Sequence, residues 1–240
     1  MTATEAPPNN TFRLRGLETT RLDTFVDAAF AFGSTVLLIS SGSLPSNYTQ
    51  LLSLLADIPS FVLSFFTMMI FWLSHRNWSR RYGLENNWTI GFTLLLVVTL
   101  LVYIYPLKLM YTTLISFLSG GEIEGGIRFS SATQGVKMIG FYGFGFCFLS
   151  LAMVGLFVAA WRARAALALN DFEQLQTRIG ITLWIILAAT GLVSGLCALL
   201  LPWKLGVWSG MLYWLLAPGI PLALTILRRR HQQSTARNVA

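Results

Sequence analysis

The sequence predicts an all-α, polytopic membrane protein, and three observations carry that prediction. Of 240 residues, 55% are apolar and only 11% are charged, about half the charged share of an ordinary soluble domain. The charges are clustered, which leaves apolar stretches of about twenty residues, enough to cross the hydrocarbon core of a bilayer as helix. The cations also alternate from loop to loop between dense and sparse, as topology signals do.

Six spans are expected, over residues 24–42, 58–75, 88–110, 137–161, 179–201 and 205–227. The first follows from "RLDTFVDAAFAFGSTVLLIS", where Arg21, Asp23 and Asp27 stand at the mouth of an apolar run. The second closes on "SFFTMMIFWLSHR", and the third opens at Asn86, Asn87 and Trp88 and carries Pro106 toward its end. The fourth begins among Gly140, Gly143 and Gly145, and the fifth contains Gly191 and Gly195. Both are small-residue faces suited to close helix packing. The sixth lies between Lys204 and Arg228, with Trp203 and Trp208 as interfacial anchors. Cys147 and Cys197 fall inside spans and read as small buried hydrophobes rather than a disulfide pair.

Before span one lie Arg13, Arg15 and Arg21, and between spans two and three lie Arg76, Arg80 and Arg81. Arg162, Arg164 and Arg178 separate spans four and five, and Arg228, Arg229, Arg230 and Arg237 follow span six. The alternate side holds only Arg128, Lys137, Lys204 and Lys108, so the division is 13 against 4. Both termini are therefore expected in the cytoplasm, and an odd number of spans would break the alternation. Residues 1–20 read as a cytoplasmic N-terminal tail, 21–227 as the six-helix domain and 228–240 as a C-terminal tail. Residues 1–12 and 231–240 are polar and expected to be disordered. The polar N-terminus lacks the basic-then-apolar pattern of a cleavable signal peptide. The glycine-rich loop 118–136, with Glu122 and Glu124, is expected on the outside.

Several function classes are disfavoured. The net charge of +7 sits in topology clusters, so no nucleic-acid partner is expected. Only two histidines are present, His75 and His231, and no HExxH, GxSxG or phosphate-cradling glycine loop appears. Neither an enzyme nor a bound metal or cofactor is expected. The polar groups near the membrane concentrate in the first three spans, at one end by the topology above. An ionisable group at membrane depth is costly and ordinarily faces protein or water. Asp27 sits inside the apolar run and needs a partner, with His75, Trp72 and Arg21 as the supply. Arg21 and Asp27 are about 240° apart around a helix, so partners on neighbouring helices are expected.

These residues carry a resemblance. "RLDTFVDAAFAF" resembles the Arg-x-x-x-Phe-Ser-Asp signature that opens the first helix of the transmembrane protein 175 family of potassium channels: Arg21, Phe25 and Asp27 match, and Val26 replaces the serine. Span two resembles the family's pattern at Ser64, Phe65, Trp72 and His75, with Arg76 in place of a second histidine. Pro106 matches a proline near the end of helix three. The family's asparagine in that helix is missing, with Thr93 or Leu95 near its place. The resemblance covers residues 21–110 specifically and the remainder only in span number and length.

The resemblance implies a six-helix subunit of the prokaryotic, single-signature type, assembling as a homotetramer in the plasma membrane with helix one around a central pore. The permeant ion would be K⁺. The family's apolar rings fall at Phe32, Val36 and Ile39, within about 60° of arc on an α-helix, and Thr35 lies about 60° from Phe32. The same stripe would face lipid or core in an ordinary bundle. Thr35 could offer an oxygen to the lumen or bond back to its own helix. Such a constriction would act as gate and filter, with modest preference for K⁺ over Na⁺ and some proton leak. Arg21, Phe25, Asp27, Trp72 and His75 would brace the foot of the pore helix. The competing readings are a small-solute secondary transporter and a non-conducting membrane scaffold.

Overall fold

In a computed structural model, the described residues are 11–40, 44–120, 129–216 and 218–225. Among them the chain is all helical, with no strand. The elements are α1 (Arg21–Ile39), α2 (Tyr48–Ala56), α3 (Ile58–Tyr82), α4 (Asn87–Leu118), α5 (Ala132–Arg162), α6 (Asp171–Leu200) and α7 (Trp203–Gly206). A 3-10 segment, Val207–Leu215, follows α7.

Five helical units are long and apolar enough to cross a membrane: α1, Tyr48–Tyr82, α4, α5 and α6. A sixth would be Trp203–Leu215 with Pro218–Thr225, bent by 46°. The expected sixth span, 205–227, is thus not one continuous α-helix. Its composition is apolar enough, but Gly210, Pro218, Gly219 and Pro221 weaken or interrupt helix hydrogen bonding. Span two gains α2 ahead of it, hinged at Asp57, which caps both helices in right-handed conformation (φ −84°, ψ −9°).

The helix starts follow local chemistry. Thr20 and Asp23 form a capping box at α1, Asn86 and Thr89 one at α4, and Asn170 and Glu173 one at α6. Helix α3 ends at Gly83, whose positive φ of 58° suits a left-handed C-cap. Pro106 lies inside α4, where it removes one backbone donor, a loss that neighbouring helices make tolerable in a membrane.

Helix α1 packs on α3 and α4, α4 on α3 and α5, and α5 on α6 in the most extensive pairing. That pairing depends on glycine: a Cβ on Gly143 would come within 2.6 Å of the Gly191 carbonyl oxygen and of the Gly195 nitrogen. Cys147 is buried, Cys197 half-buried, and neither is in a disulfide. The core runs from Val26, Phe30 and Leu37 through Met68, Phe71 and Trp78 to Leu149, Met153 and Leu156.

Candidate functional site

Helix α1 has two faces. Val26, Phe30, Gly33 and Leu37 are buried against α3 and α4. On the opposite side Phe25, Phe32, Thr35 and Ile39 are exposed, Phe32 by 62% and Ile39 by 68%. Their sequence offsets place Phe32, Thr35 and Ile39 within about 60° of one another on a helix. Val36 belongs to the flank, half-buried and packed against the core. Gly33 faces its own subunit, where a Cβ would lie 3.0 Å from Ile104 Cδ1. The hydroxyls of Ser34 and Thr35 both donate to the Ala31 carbonyl, at 2.7 and 3.1 Å.

At the arginine-rich end the structure places the signature residues as follows. The Trp72 indole N–H donates to Asp27 Oδ1 at 2.7 Å, and the Arg76 guanidinium lies 5.5 Å from the centre of the Trp72 ring. His75 is 2% exposed and its Nε2 is 3.1 Å from the hydroxyl of Thr93, itself fully buried. The Arg21 side chain makes no hydrogen bond or ion pair among the described residues. It lines a cleft of about 370 Å³ with Phe25, facing Glu85, Ile90 and Leu94. The structure thus joins Asp27 to Trp72 and His75 to Thr93, and brings Arg21 to neither. Asp23 is engaged with Thr20 in the capping box. A polar pocket of about 260 Å³ separates this end of α1 from α3, walled by Glu18, Asp23, Asp27, His75, Arg76 and Arg80 among others.

Residues 11–20 are a packed strap rather than a loose tail. Glu173, in the first turn of α6, is fully buried and takes Arg13 and Arg15 at 2.8 Å each. Its carboxylate also accepts the backbone N–H of Arg13 and of Asn170. The hydrogen bond to Glu173 raises the Arg13 guanidinium further above its ordinary pKa. The N–H groups of Arg15 and Gly16 both donate to the Arg80 carbonyl at 3.1 Å. A Cβ on Gly16 would come within 2.5 Å of the Ser79 carbonyl oxygen, so the strap lies against the end of α3 at a place where only glycine fits. Phe12 packs edge-on to Tyr82, and the Tyr82 hydroxyl is 2.7 Å from that of Thr177. The strap therefore links α6, α3 and the start of α1. Sequence reading treats Arg13 and Arg15 as topology cations, because their partner lies about 160 residues away with no local signal.

A second ion pair lies at the opposite end. Lys108 Nζ is 2.9 Å from Asp57 Oδ2, with the lysine side chain 7% exposed, and Thr112 donates to Asp57 Oδ1 at 3.3 Å. It pins the α2–α3 hinge to α4. No group of three or more His, Cys, Asp or Glu able to hold a metal ion occurs among the described residues. The expectations for residues 1–10, for Glu122, Glu124 and Arg128, and for 226–240 fall outside the described residues.

Comparison with known proteins places this arrangement. The family model described as the endosomal/lysosomal potassium channel TMEM175 matches residues 21–106. A protein of Marivirga tractuosa named potassium channel is 32% identical over 224 residues, covering 88% of each chain. The fold is similar to a crystal structure of a variant of the potassium channel MtTMEM175 in complex with a nanobody–MBP fusion protein. That likeness has a TM-score of 0.81 and 28% identity, and covers 91% of this chain and 97% of the other. With its signature residues at the foot of an exposed first helix, its apolar spans and this degree of likeness, the chain is a member of the TMEM175 family of potassium channels and not an enzyme.

Proposed function

We propose that the protein is a K⁺-permeable cation channel of the plasma membrane, a homotetramer in which four copies of α1 surround a central pore. Both termini lie in the cytoplasm, as the arginine distribution supports. The single observation that favours this reading is the outward face of α1: Phe32, Thr35 and Ile39 are left without intrasubunit cover on the helix that also carries the family signature. Four such faces meeting on an axis would cover one another and form apolar rings at Phe32 and Ile39, with the half-buried Val36 completing the stripe from its flank.

Rings of this kind exclude water when narrow, which makes them a dewetting gate. An ion crossing them must shed part of its hydration shell. K⁺ holds its shell less tightly than Na⁺, so a modest preference for K⁺ arises without a carbonyl filter, and protons leak through the same constriction. Phe32 closes the path more fully than a smaller side chain would, and its ring faces attract a cation. Thr35, although bonded back to Ala31, keeps an oxygen lone pair on this face. Asp27, Trp72 and the His75–Thr93 pair, with Arg21 and Phe25 at the lipid-water boundary, hold the foot of α1 at a fixed tilt and are not ion ligands.

The test is reconstitution. Purified protein should run as a tetramer by light scattering in detergent and give K⁺ current in planar bilayers that persists without any substrate gradient. A monomer with no current supports the scaffold reading, and flux that requires a coupled solute gradient supports the transporter.

A further inference from the structure

Three arginines around the α5–α6 turn lack a carboxylate partner among the described residues. Trp161, half-buried in the last turn of α5, carries two guanidinium groups: that of Arg164 lies 4.8 Å from the ring centre and that of Arg178, on α6, lies 4.6 Å from it. Both arginines are exposed, as is Arg162 beside them. The ion pairs of the described residues are instead Arg13 and Arg15 with Glu173 and Lys108 with Asp57. Asp171 stands in the first turn of α6, about 10 Å along the axis from Arg178, and pairs with neither arginine. Arg164 donates to the Trp161 carbonyl at 3.1 Å, which closes the end of α5. A guanidinium has five donors, so most remain unused. Two like charges held on one indole repel, and an anion between them relieves that repulsion.

Depth selects the kind of anion. Trp161 is the last residue but one of α5, and indoles settle at the membrane–water boundary at such span ends. Arg178 closes the polar opening of α6, DFEQLQTR, and the apolar run IGITLWIIL begins at the next residue. Beyond Arg178, Ile185 and Leu192 follow at intervals of seven, and they are 49% and 42% exposed. Such intervals drift by only about 20° around a straight helix. One face of α6 therefore presents a cation at the boundary and then about 20 Å of exposed hydrocarbon. Free phosphate would match the cations alone. A phospholipid matches both parts, because its acyl chains reach across half of the roughly 30 Å hydrocarbon core.

We infer that Trp161, Arg164 and Arg178 form a binding site for an anionic phospholipid, with its phosphate between the two guanidinium groups and one acyl chain along Ile185 and Leu192. Guanidinium forks take phosphate oxygens in paired hydrogen bonds. The indole limits the freedom of both side chains beforehand, so less order has to be gained on binding. Basic sites between membrane helices near the bilayer surface take headgroups of this kind. The site belongs to α5 and α6, neither of which packs on α1. It is independent of the pore proposed above and needs only that the chain be embedded in a membrane.

The experiment uses the full-length protein with equimolar phosphatidylglycerol and phosphatidylcholine, and native mass spectrometry counts the retained lipid. Phosphatidylglycerol should be retained about fivefold over phosphatidylcholine, the scale of one net hydrogen bond. Arg164→Gln/Arg178→Gln should abolish that preference. Lys137→Gln/Lys204→Gln, an equal loss of exposed charge at the other end, should leave it intact, and excess inorganic phosphate should not displace the lipid. Equal retention of both lipids by the unaltered protein, equal effects of the two double variants or displacement by inorganic phosphate overturns the assignment. Should the arginine variant not fold, a photoreactive benzoylphenylalanine at position 185 in native membranes decides. Adducts of phospholipid mass that fall several-fold in Arg178→Lys, which keeps the charge and loses the fork, support the site. Adducts indifferent to that change, or cross-links to a second copy of the chain in their place, overturn it.

Discussion

The two ends of this helical bundle are built on different principles. At the arginine-rich end a buried carboxylate, two guanidinium groups and a strap of backbone bind α6, α3 and α1 together through Glu173, Arg13, Arg15 and Arg80. At the other end the described helices meet mainly through hydrocarbon, and the ion pair described there is Asp57–Lys108. Polar bonds of defined direction fix helix position at the first end, while the second relies on non-directional apolar packing. A first helix held in this way has an anchored foot and a less constrained top. The contrast therefore places rigidity beside the signature residues and leaves freedom near Val36 and Ile39.

Substitution tests this contrast, beginning with the residue whose loss should be felt most. Glu173→Ala leaves two guanidinium groups facing a vacated buried site. Loss of one partner of a buried pair costs about 3 kcal/mol, and the half-exposed Arg13 pulls the expected value toward the lower end. Thermal unfolding in detergent and the yield of folded protein measure it. Arg13→Ala alone should cost visibly less, because that side chain reaches solvent. Lys108→Met strands Asp57, which keeps Thr112 and some solvent, so a loss of about 2 kcal/mol is expected from the same unfolding assay. Equal losses at Glu173 and Lys108 would erase the difference between the two ends. Asp27→Asn weakens a charge-assisted bond to Trp72 at an exposed site, for a loss of about 1 kcal/mol. Tetramer yield should fall more than K⁺/Na⁺ preference changes; the reverse pattern would make Asp27 an ion ligand. Thr93→Val removes the hydroxyl facing His75 and should cost about 1 kcal/mol, detected as lowered melting temperature with conduction retained.

Much of the fold is legible in the sequence for physical reasons that can be named. Helix starts at Arg21 and Asn87 lie at polar-to-apolar transitions with capping residues just before them. The expected starts of the later spans fall inside longer helices because polar first turns, such as Asp171–Arg178 in α6, look like loop by hydropathy alone. The short α2 is hidden because nine residues carry too little periodicity to stand apart. The 46° bend in the last span is hidden because apolar composition does not distinguish a continuous helix from a broken one. At the site, the need of Asp27 for a partner on another helix can be argued from the helical period, yet the choice of Trp72 over Arg21 or His75 is a matter of tertiary geometry. Glu173 escapes sequence reading altogether, since a carboxylate in the first turn of a helix is already accounted for by the capping box it also forms.

If the open face of α1 surrounds the ion path, as proposed, then single-channel K⁺ conductance in planar bilayers should depend on Phe32. The decisive comparison sets Phe32→Ala beside Ile70→Ala, a change at a similarly open apolar position on α3. Phe32→Ala should raise conductance or open probability several-fold, while Ile70→Ala leaves both as they were. Unaltered currents in Phe32→Ala, or equal changes in the two variants, would contradict a pore lined by α1.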